Sequence, residues 1–397
     1  MKGWHRKTIG DLCSFSNGHG FTPSDWAKKG WPIIRIQNLN GSDNFNYFDG
    51  EPDPGWIVEP GELLFAWAGV AGVSFGPTIW PGPRGVLNQH IYRITPYEGI
   101  DKDWLYAALK EVTSRIERKA HGFKSSLLHV KKNDITEQHI YQPKSEEQKE
   151  IARIIAVGDR SIDLTERLIA AKQERRSWLM QQLLTGKKRL PGFDDEWQEI
   201  HIRDICMPVR RKNDKGVTHV LTASGEHGLV DQMEYFNRSV SGESLDGYFL
   251  LRRGEFAYNR SSMNGYPYGA IKRLDAYDEG VLSTLYICFR LTSESCFSDF
   301  YKHLFEAGIL NRQLREVVQV GARAHGLLNI TLHDFFSLKI CCPPIEEQQH
   351  IAAIIDTADR ELDLLRTQLD ALREQKKGLM QQLLTGKVRV KTGGTNV

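Results

Sequence analysis

The sequence predicts an α+β protein in which two mixed, mostly β domains are separated by two long antiparallel coiled-coil helices, the whole an internal pseudo-twofold duplication. The first observation is a repeat. Met180–Lys187 recurs letter for letter as Met380–Lys387, and Glu146-Glu147-Gln148 recurs as Glu346-Glu347-Gln348, both at an offset of 200. Between residues 146–187 and their counterparts, 22 of 42 positions are identical, which makes duplication the starting point of the fold argument. The second observation is a fainter repeat outside these segments. Trp4…Ile9-Gly10-Asp11-Leu12-Cys13 matches Trp197…Ile202-Arg203-Asp204-Ile205-Cys206 at offset 193, and Gly85-Val86-Leu87 matches Gly280-Val281-Leu282 at 195. The offsets drift between fixed anchors, so the two variable units share a scaffold and differ in their loops. The third is periodicity. Apolar residues at 351, 355, 358, 362, 365, 369, 372, 379 and 383 alternate steps of four and three, a heptad seam missing only at Lys376.

Residues 1–143 form the first variable unit. Trp31 to Ile36, Leu63 to Ala66 and Val86 to Ile94 read as strands, with turns such as Trp80-Pro81-Gly82-Pro83 between them. Asp101 to Lys119 is its one clear helix. Residues 144–190 carry the central helix, whose seam is interrupted by Gly158, Thr165, Lys172 and Arg176. Residues 191–343 repeat the variable unit, with Ser298 to Ala307 as its helix. Residues 344–390 repeat the long helix, and 391–397 are a tail. Pro143 and Pro344 stop the preceding strands, while Thr185-Gly186 and Thr385-Gly386 supply C-terminal glycine stops. A helix of forty residues spans roughly 60 Å. Twofold symmetry makes the helices antiparallel, places the variable units at opposite ends, and brings the two termini together.

Composition bounds the function. The chain has 397 residues, 40% hydrophobic and 26% charged, which suits two or three globular domains. No apolar run is long enough for a membrane helix. The six cysteines show no CxxC pair, which argues against a zinc ribbon or disulfide framework and suits a reducing cytoplasm. Net charge is +2, so any nucleic acid would be bound through local patches and shape rather than bulk charge. No P-loop, HExxH, GxSxG or amino-methyltransferase [DN]-P-P-[YF] motif is present, and the thirteen histidines are spread singly. Neither a catalytic set nor a metal site emerges.

Two copies of a Pro-x-x-Glu-Glu-Gln-x-x-Ile-Ala head (Pro143 to Ala152 and, with Pro344 and Ile345 between, Pro343 to Ala352) and of a Leu-Leu-Thr-Gly-Lys tail, at fixed spacing, resemble the specificity subunit of type I restriction-modification systems. Gly61-Glu62-Leu63-Leu64 and Phe256-Ala257-Tyr258-Asn259 are similar to that family's strand motifs. The resemblance covers essentially the whole chain. It implies that each variable unit is a target-recognition domain reading one half of a bipartite, asymmetric site in double-stranded DNA, with the helices as a ruler for the unread spacer. About seventeen base pairs fit the helix length. It further implies two docked adenine methyltransferase subunits, and restriction subunits with translocase activity. S-adenosylmethionine, ATP and Mg belong to those partners, none of them to this chain, which is itself non-catalytic. A modification-only system and a coiled-coil protein scaffold are the alternatives.

Base edges are read by amides and Arg, and phosphates by Lys and Arg. The candidates in the first unit are therefore Gln37, Asn38 and Asn40, then Arg84, Asn88 and Gln89, and a phosphate patch of Arg115, Arg118, Lys119, Lys124, Lys131 and Lys132. In the second they are Arg210, Arg211, Lys212, Asn213, Asn259, Arg260 and Arg323. The identical helix tails, Leu183-Leu184-Thr185-Gly186 and Leu383-Leu384-Thr385-Gly386, are the candidate docking sites for two copies of one partner. The same identity is also what repeated turn packing would produce.

Overall fold

The computed structural model describes residues 3–120, 127–225, 227–236, 244–262, 265–318 and 328–391. Lys124 and Arg323 lie outside the described residues. The chain divides into two compact units, Met1–Glu166 with Thr367–Val397, and Arg167–Arg366. Each unit therefore takes one variable domain, part of the central helix and part of the C-terminal one.

The first half runs β1 (His5–Thr8), β2 (Cys13–Asn17), β3 (Trp31–Ile34), α1 (Ile36–Leu39), β4 (Asn46–Phe48), β5 (Ile57–Val58), β6 (Leu63–Ala66), β7 (Ala68–Val70), β8 (Gly76–Ile79), β9 (Gly85–Leu87), β10 (Ile91–Pro96), α2 (Lys102–Ala120), β11 (Leu127–His129), α3 (Lys132–Thr136), β12 (His139–Gln142) and the long helix α4 (Ser145–Leu183). Strands β2-β10-β6-β8 form one four-stranded antiparallel sheet. Strands β4-β3-β9-β5 form a second, in which β3 and β9 are parallel. Strand β12 returns to pair with β1, so the domain closes where α4 begins.

The second half runs β13 (Gln198–His201), α5 (Ile202–Ile205), β14 (Cys206–Pro208), β15 (Leu221–Ser224), β16 (Gly228–Asp231), α6 (Gln232–Phe236), β17 (Phe249–Arg252), β18 (Phe256–Asn259), β19 (Ala270–Arg273), β20 (Glu279–Leu282), β21 (Tyr286–Leu291), α7 (Ser298–Glu306), α8 (Asn311–Val317), α9 (Leu332–Phe336), β22 (Lys339–Cys342) and α10 (Ile345–Leu384). The sheet β14-β21-β18-β19 repeats the order of β2-β10-β6-β8, and β13 pairs with β22 as β1 pairs with β12. The duplication seen faintly in sequence is thus a duplication of topology.

Two strand expectations need correction. The run from Trp31 ends as a strand at Ile34, and Ile36 opens the short helix α1, because Asn38 accepts the Arg35 amide at 3.0 Å and turns the chain. Val86 to Ile94 is not one strand: β9 and β10 belong to different sheets, and Asn88, Gln89 and His90 make the crossing between them.

Inside each unit the helices run antiparallel. In the first unit Asp159 pairs with Lys376, and Glu166 with Arg373 at 2.7 Å. In the second, Lys172 pairs with Glu361 at 2.5 Å and Arg176 with Asp359. Three breaks in the heptad pattern, Lys172, Arg176 and Lys376, thus carry ion pairs between the helices. Lys376 reaches Asp159 beside Gly158, where an added Cβ would lie 3.5 Å from the lysine chain. Apolar seam residues Ile151, Ile155, Ile169, Ile351, Ile355, Leu362 and Leu369 are buried. Both helices end as the glycines predict, with Gly186 and Gly386 each at φ +67°.

Candidate nucleic-acid interface

The Glu-Glu-Gln head of each helix is an internal clamp. Gln348 is buried, and its Oε1 accepts the Phe297 amide at 2.8 Å while Nε2 donates to the Ser295 and Pro343 carbonyls at 2.9 Å each. Gln148 repeats this, accepting from the Asp101 amide at 2.8 Å and donating to the Pro143 carbonyl at 2.9 Å. The preceding glutamates receive the chain that follows the helix tails. Glu347 accepts two bonds of 2.8 Å from Arg189 and one of 2.9 Å from Trp197 Nε1. Glu147 accepts from Arg389 at 2.6 and 2.9 Å and from Trp4 Nε1 at 2.9 Å. Burial pushes the Glu147 carboxyl up, but the bonds from Arg389 and Trp4 outweigh it and hold the group below its ordinary range. Trp4 and Arg389 meet on one carboxylate, so the two ends of the described chain lie together, as the repeat requires.

The helix tails are placed by the same packing. Leu183 and Leu184 are buried in the core of the second unit with Ile202, Phe300 and Ile351, and Leu383 and Leu384 in that of the first with Trp4, Leu105 and Ile151. These four leucines face inward, so the part of the docking expectation that used their side chains is corrected: apolar groups already sealed in a core offer a partner no surface. Thr185 is exposed, while Gly186, Thr385 and Gly386 are half-buried. Both threonine hydroxyls donate back to the helix, at the Gln181 and Gln381 carbonyls.

In the first unit, two of the candidate groups converge. Gln37, at the start of α1, and Asn88 with Gln89, at the β9–β10 crossing, line one pocket of about 310 Å³ together with Phe21, Trp26, Arg35, Ile36 and His90. Two glycines lie close against the β9–β10 crossing. A Cβ at Gly18 would lie 2.2 Å from the Leu87 carbonyl oxygen, and one at Gly20 would lie 2.7 Å from Gln89 Oε1. Arg35 is held over the Trp26 ring at 5.4 Å and donates to Asn46 Oδ1 at 2.9 Å. Burial, with the charges of His129 and Arg35 nearby, holds the His90 imidazole below its ordinary range, and its Nδ1 is buried without a partner among the described residues. Arg35, His90, Phe21 and Trp26 were not singled out from sequence. An Arg two residues before Gln37 and a His directly after Gln89 were the available signals.

Several other candidates in this unit already carry bonds within the domain. Asn38 is buried and donates to the Ser42 and Asn44 carbonyls, so it forms the turn instead of facing DNA. Asn40 is an exposed residue ending α1. Arg84 pairs with Glu59 at 2.7 Å and lies over Trp31. In the basic patch, Arg115 is bound to Glu111 and the His139 carbonyl, Arg118 to Ser114, and Lys132 to the Phe15 carbonyl. Lys119 and Lys131 remain exposed.

The second unit departs further from expectation. Asn213 is buried and bonded both ways to Val217, a turn contact that excludes base reading. Arg211 is bound to Glu255 and the Leu250 carbonyl, and Arg260 donates to the Leu285 carbonyl at 2.6 Å. Lys212 donates to the Gly247 carbonyl, and Asn259 accepts from the Ser261 amide. Arg210 is exposed. A polar cavity of about 990 Å³ lined by Arg176, Lys272, Lys302 and Glu306 escaped the sequence reading. Its Lys272 is buried and bonded to both Glu306 oxygens, at 2.8 and 2.6 Å. His303, Asp356 and Asp359 bring metal-type ligand atoms within 4.8 Å of one another, but His303 is bonded to Asp356 at 2.8 Å and Arg176 occupies Asp359. The described residues thus offer two differing polar surfaces on a repeated frame. No described helix is long and apolar enough to cross a membrane.

The comparisons with known proteins agree with this frame. Residues 1–172 and 194–374 each match the family described as type I restriction modification DNA specificity domain. The type I restriction enzyme MjaVIII specificity subunit of Methanocaldococcus jannaschii is 24% identical over 364 residues, covering 84% of this chain and 81% of that protein. A chain solved in work on complex assembly and conformational transition of the type I restriction-modification system superposes with a TM-score of 0.60 at 15% identity, covering 98% of this chain and 99% of that one. The Mycoplasma genitalium type I restriction-modification S subunit gives 0.54 at 16% identity, over 96% of both chains; at such identities the likeness is one of fold. With both halves matched across most of the chain, the protein belongs to the type I restriction-modification DNA specificity family and is a specificity subunit.

Proposed function

We propose that this chain reads a bipartite, asymmetric DNA sequence through its two variable domains and carries out no chemistry itself. The observation behind this reading is the contrast between a frame repeated in topology, clamps and helix ends and two domains whose exposed polar groups differ. A repeated frame suits two equivalent attachments, and differing loops suit two different half-sites. On this reading two adenine methyltransferase subunits dock on the repeated frame, the helices set the unread spacer, and restriction subunits join the complex. S-adenosylmethionine, ATP and Mg act on those partners. Phosphate contacts come from exposed cations such as Lys119, Lys131 and Arg210, and Lys124 and Arg323 remain candidates. The test is long-read methylation mapping of the native host with the gene intact and deleted. A bipartite N6-methyladenine motif that disappears on deletion is the expected result. A genome whose methylation is unchanged, in a strain where the neighbouring methyltransferase is expressed and co-purifies with this chain, refutes DNA reading.

A further inference from the structure

The pocket of the first variable domain has a composition that points to one kind of base pair. In the major groove an A·T pair presents the adenine N7 acceptor and N6 donor beside the thymine C5 methyl, whereas a G·C pair presents two guanine acceptors and no methyl. A carboxamide, with donor and acceptor side by side, complements adenine; a guanidinium complements guanine. Here the guanidinium of Arg35 is partly engaged, with Nη1 bonded to Asn46 Oδ1 and its face on the Trp26 ring. The carboxamides are less engaged. Asn88 accepts a single long bond from the His90 amide at 3.4 Å, and the Gln89 amide lies 3.4 Å from His90 Nε2. Gln37 is partly held, its Nε2 donating to the Asn44 carbonyl at 2.9 Å. Beside these amides the pocket offers Phe21, Trp26 and Ile36, and Trp26 is 41% exposed. Amides next to an apolar wall match adenine next to a methyl group.

We infer that this pocket is the A·T-reading element of the first domain: Asn88 and Gln89 take the adenine edge, and the Phe21, Trp26 and Ile36 wall takes the thymine methyl. Arg35 is a positioning residue that fixes the wall through Trp26. The inference rests on the proposed DNA reading and adds the base class and the residues. The two carboxamides reach the pocket because the β9–β10 crossing changes sheet there, so a single short segment carries the recognition of this pair.

The test uses the intact complex and its wild-type methylation motif. Gln89→Glu and Asn88→Asp replace an amide by a group that only accepts, which suits a cytosine amino group and not adenine N7. One A·T position in one half-site is expected to lose discrimination by roughly 5- to 150-fold, with C admitted in its place, while the other half-site is unchanged. The intact half-site reports that the variant folds. If Gln89→Glu methylates nothing, Gln89→Ala, which adds no charge, replaces it and is expected to relax the same pair. A wild-type complex with no bipartite motif would defeat the underlying reading. A wild-type motif that every variant retains, or relaxation at a G·C pair that depends on Arg35→Lys, overturns the A·T assignment alone.

Discussion

Replacing Gln348 by alanine tests whether the glutamine heading each long helix is a clamp. The side chain is 1% exposed and makes three short bonds, one accepted from the Phe297 amide and two donated to the Ser295 and Pro343 carbonyls, beside a longer contact to Cys342 Sγ at 3.4 Å. A typical internal hydrogen bond contributes about 1 kcal/mol net, but a buried group left without its partner costs about 1–3 kcal/mol. Alanine strands one amide and two carbonyls. Allowing for partial entry of water into the space, the variant should lose about 3 kcal/mol. Gln148→Ala should lose somewhat less, because one of its three bonds, to the Gly99 carbonyl, is already long at 3.4 Å. A two-unit chain need not unfold in one step, so the assay is local. Amide hydrogen exchange of Phe297 should lose protection in Gln348→Ala, and that of Asp101 should not, with the reverse pattern in Gln148→Ala. Urea unfolding of the second unit should move to lower concentration. A change below about 0.5 kcal/mol with Phe297 protection intact would refute the clamp, since surface substitutions alone stay within that range.

Four further outcomes follow from the structure. Leu183→Asp buries a charge in the second core and should abolish folding of that unit, read by circular dichroism and proteolysis. Lys187→Ala, on an exposed residue, should leave the fold unchanged, so only the latter informs on docking. Glu147 has a depressed pKa, so its contribution is present above the ordinary carboxylate range and disappears as pH falls through the folded value. Glu147→Gln should therefore flatten the acid side of the stability–pH profile, measured by denaturation between pH 3 and 7, chosen to span roughly the carboxylate range. The Arg176–Asp359 pair bridges the two helices with both side chains part-buried. A double-mutant cycle with Arg176→Met and Asp359→Asn should return a coupling of about 1 kcal/mol, and a value indistinguishable from zero would make the pair incidental.

Much of the architecture was legible in the chain because it depends on local patterns. The heptad seam, the prolines before each helix and the Thr-Gly stops act within a few residues, and the offset of 200 places the second copy without knowledge of any contact. The same patterns do not tell which polar groups are already satisfied inside the fold. Asn38 and Asn213 have a composition suited to base reading, but the turn carbonyls that satisfy them can be seen only once the loops close. Arg211 and Arg260 look like phosphate ligands until Glu255 and the Leu285 carbonyl are found beside them.

The sequence by itself determined the duplication, the two long helices, their antiparallel pairing and the nearness of Trp4 to Arg389 at the ends of the described chain, because symmetry and hydrophobic periodicity are properties of order along the chain. Only the tertiary structure decided that the repeated glutamate and glutamine are clamps, that the identical leucines are core, and that Gln37 shares a pocket with Asn88 and Gln89. The physical reason is that burial and hydrogen-bond satisfaction are set by residues distant in sequence. A polar side chain shows which bonds it can make, and the fold determines which of them are already made.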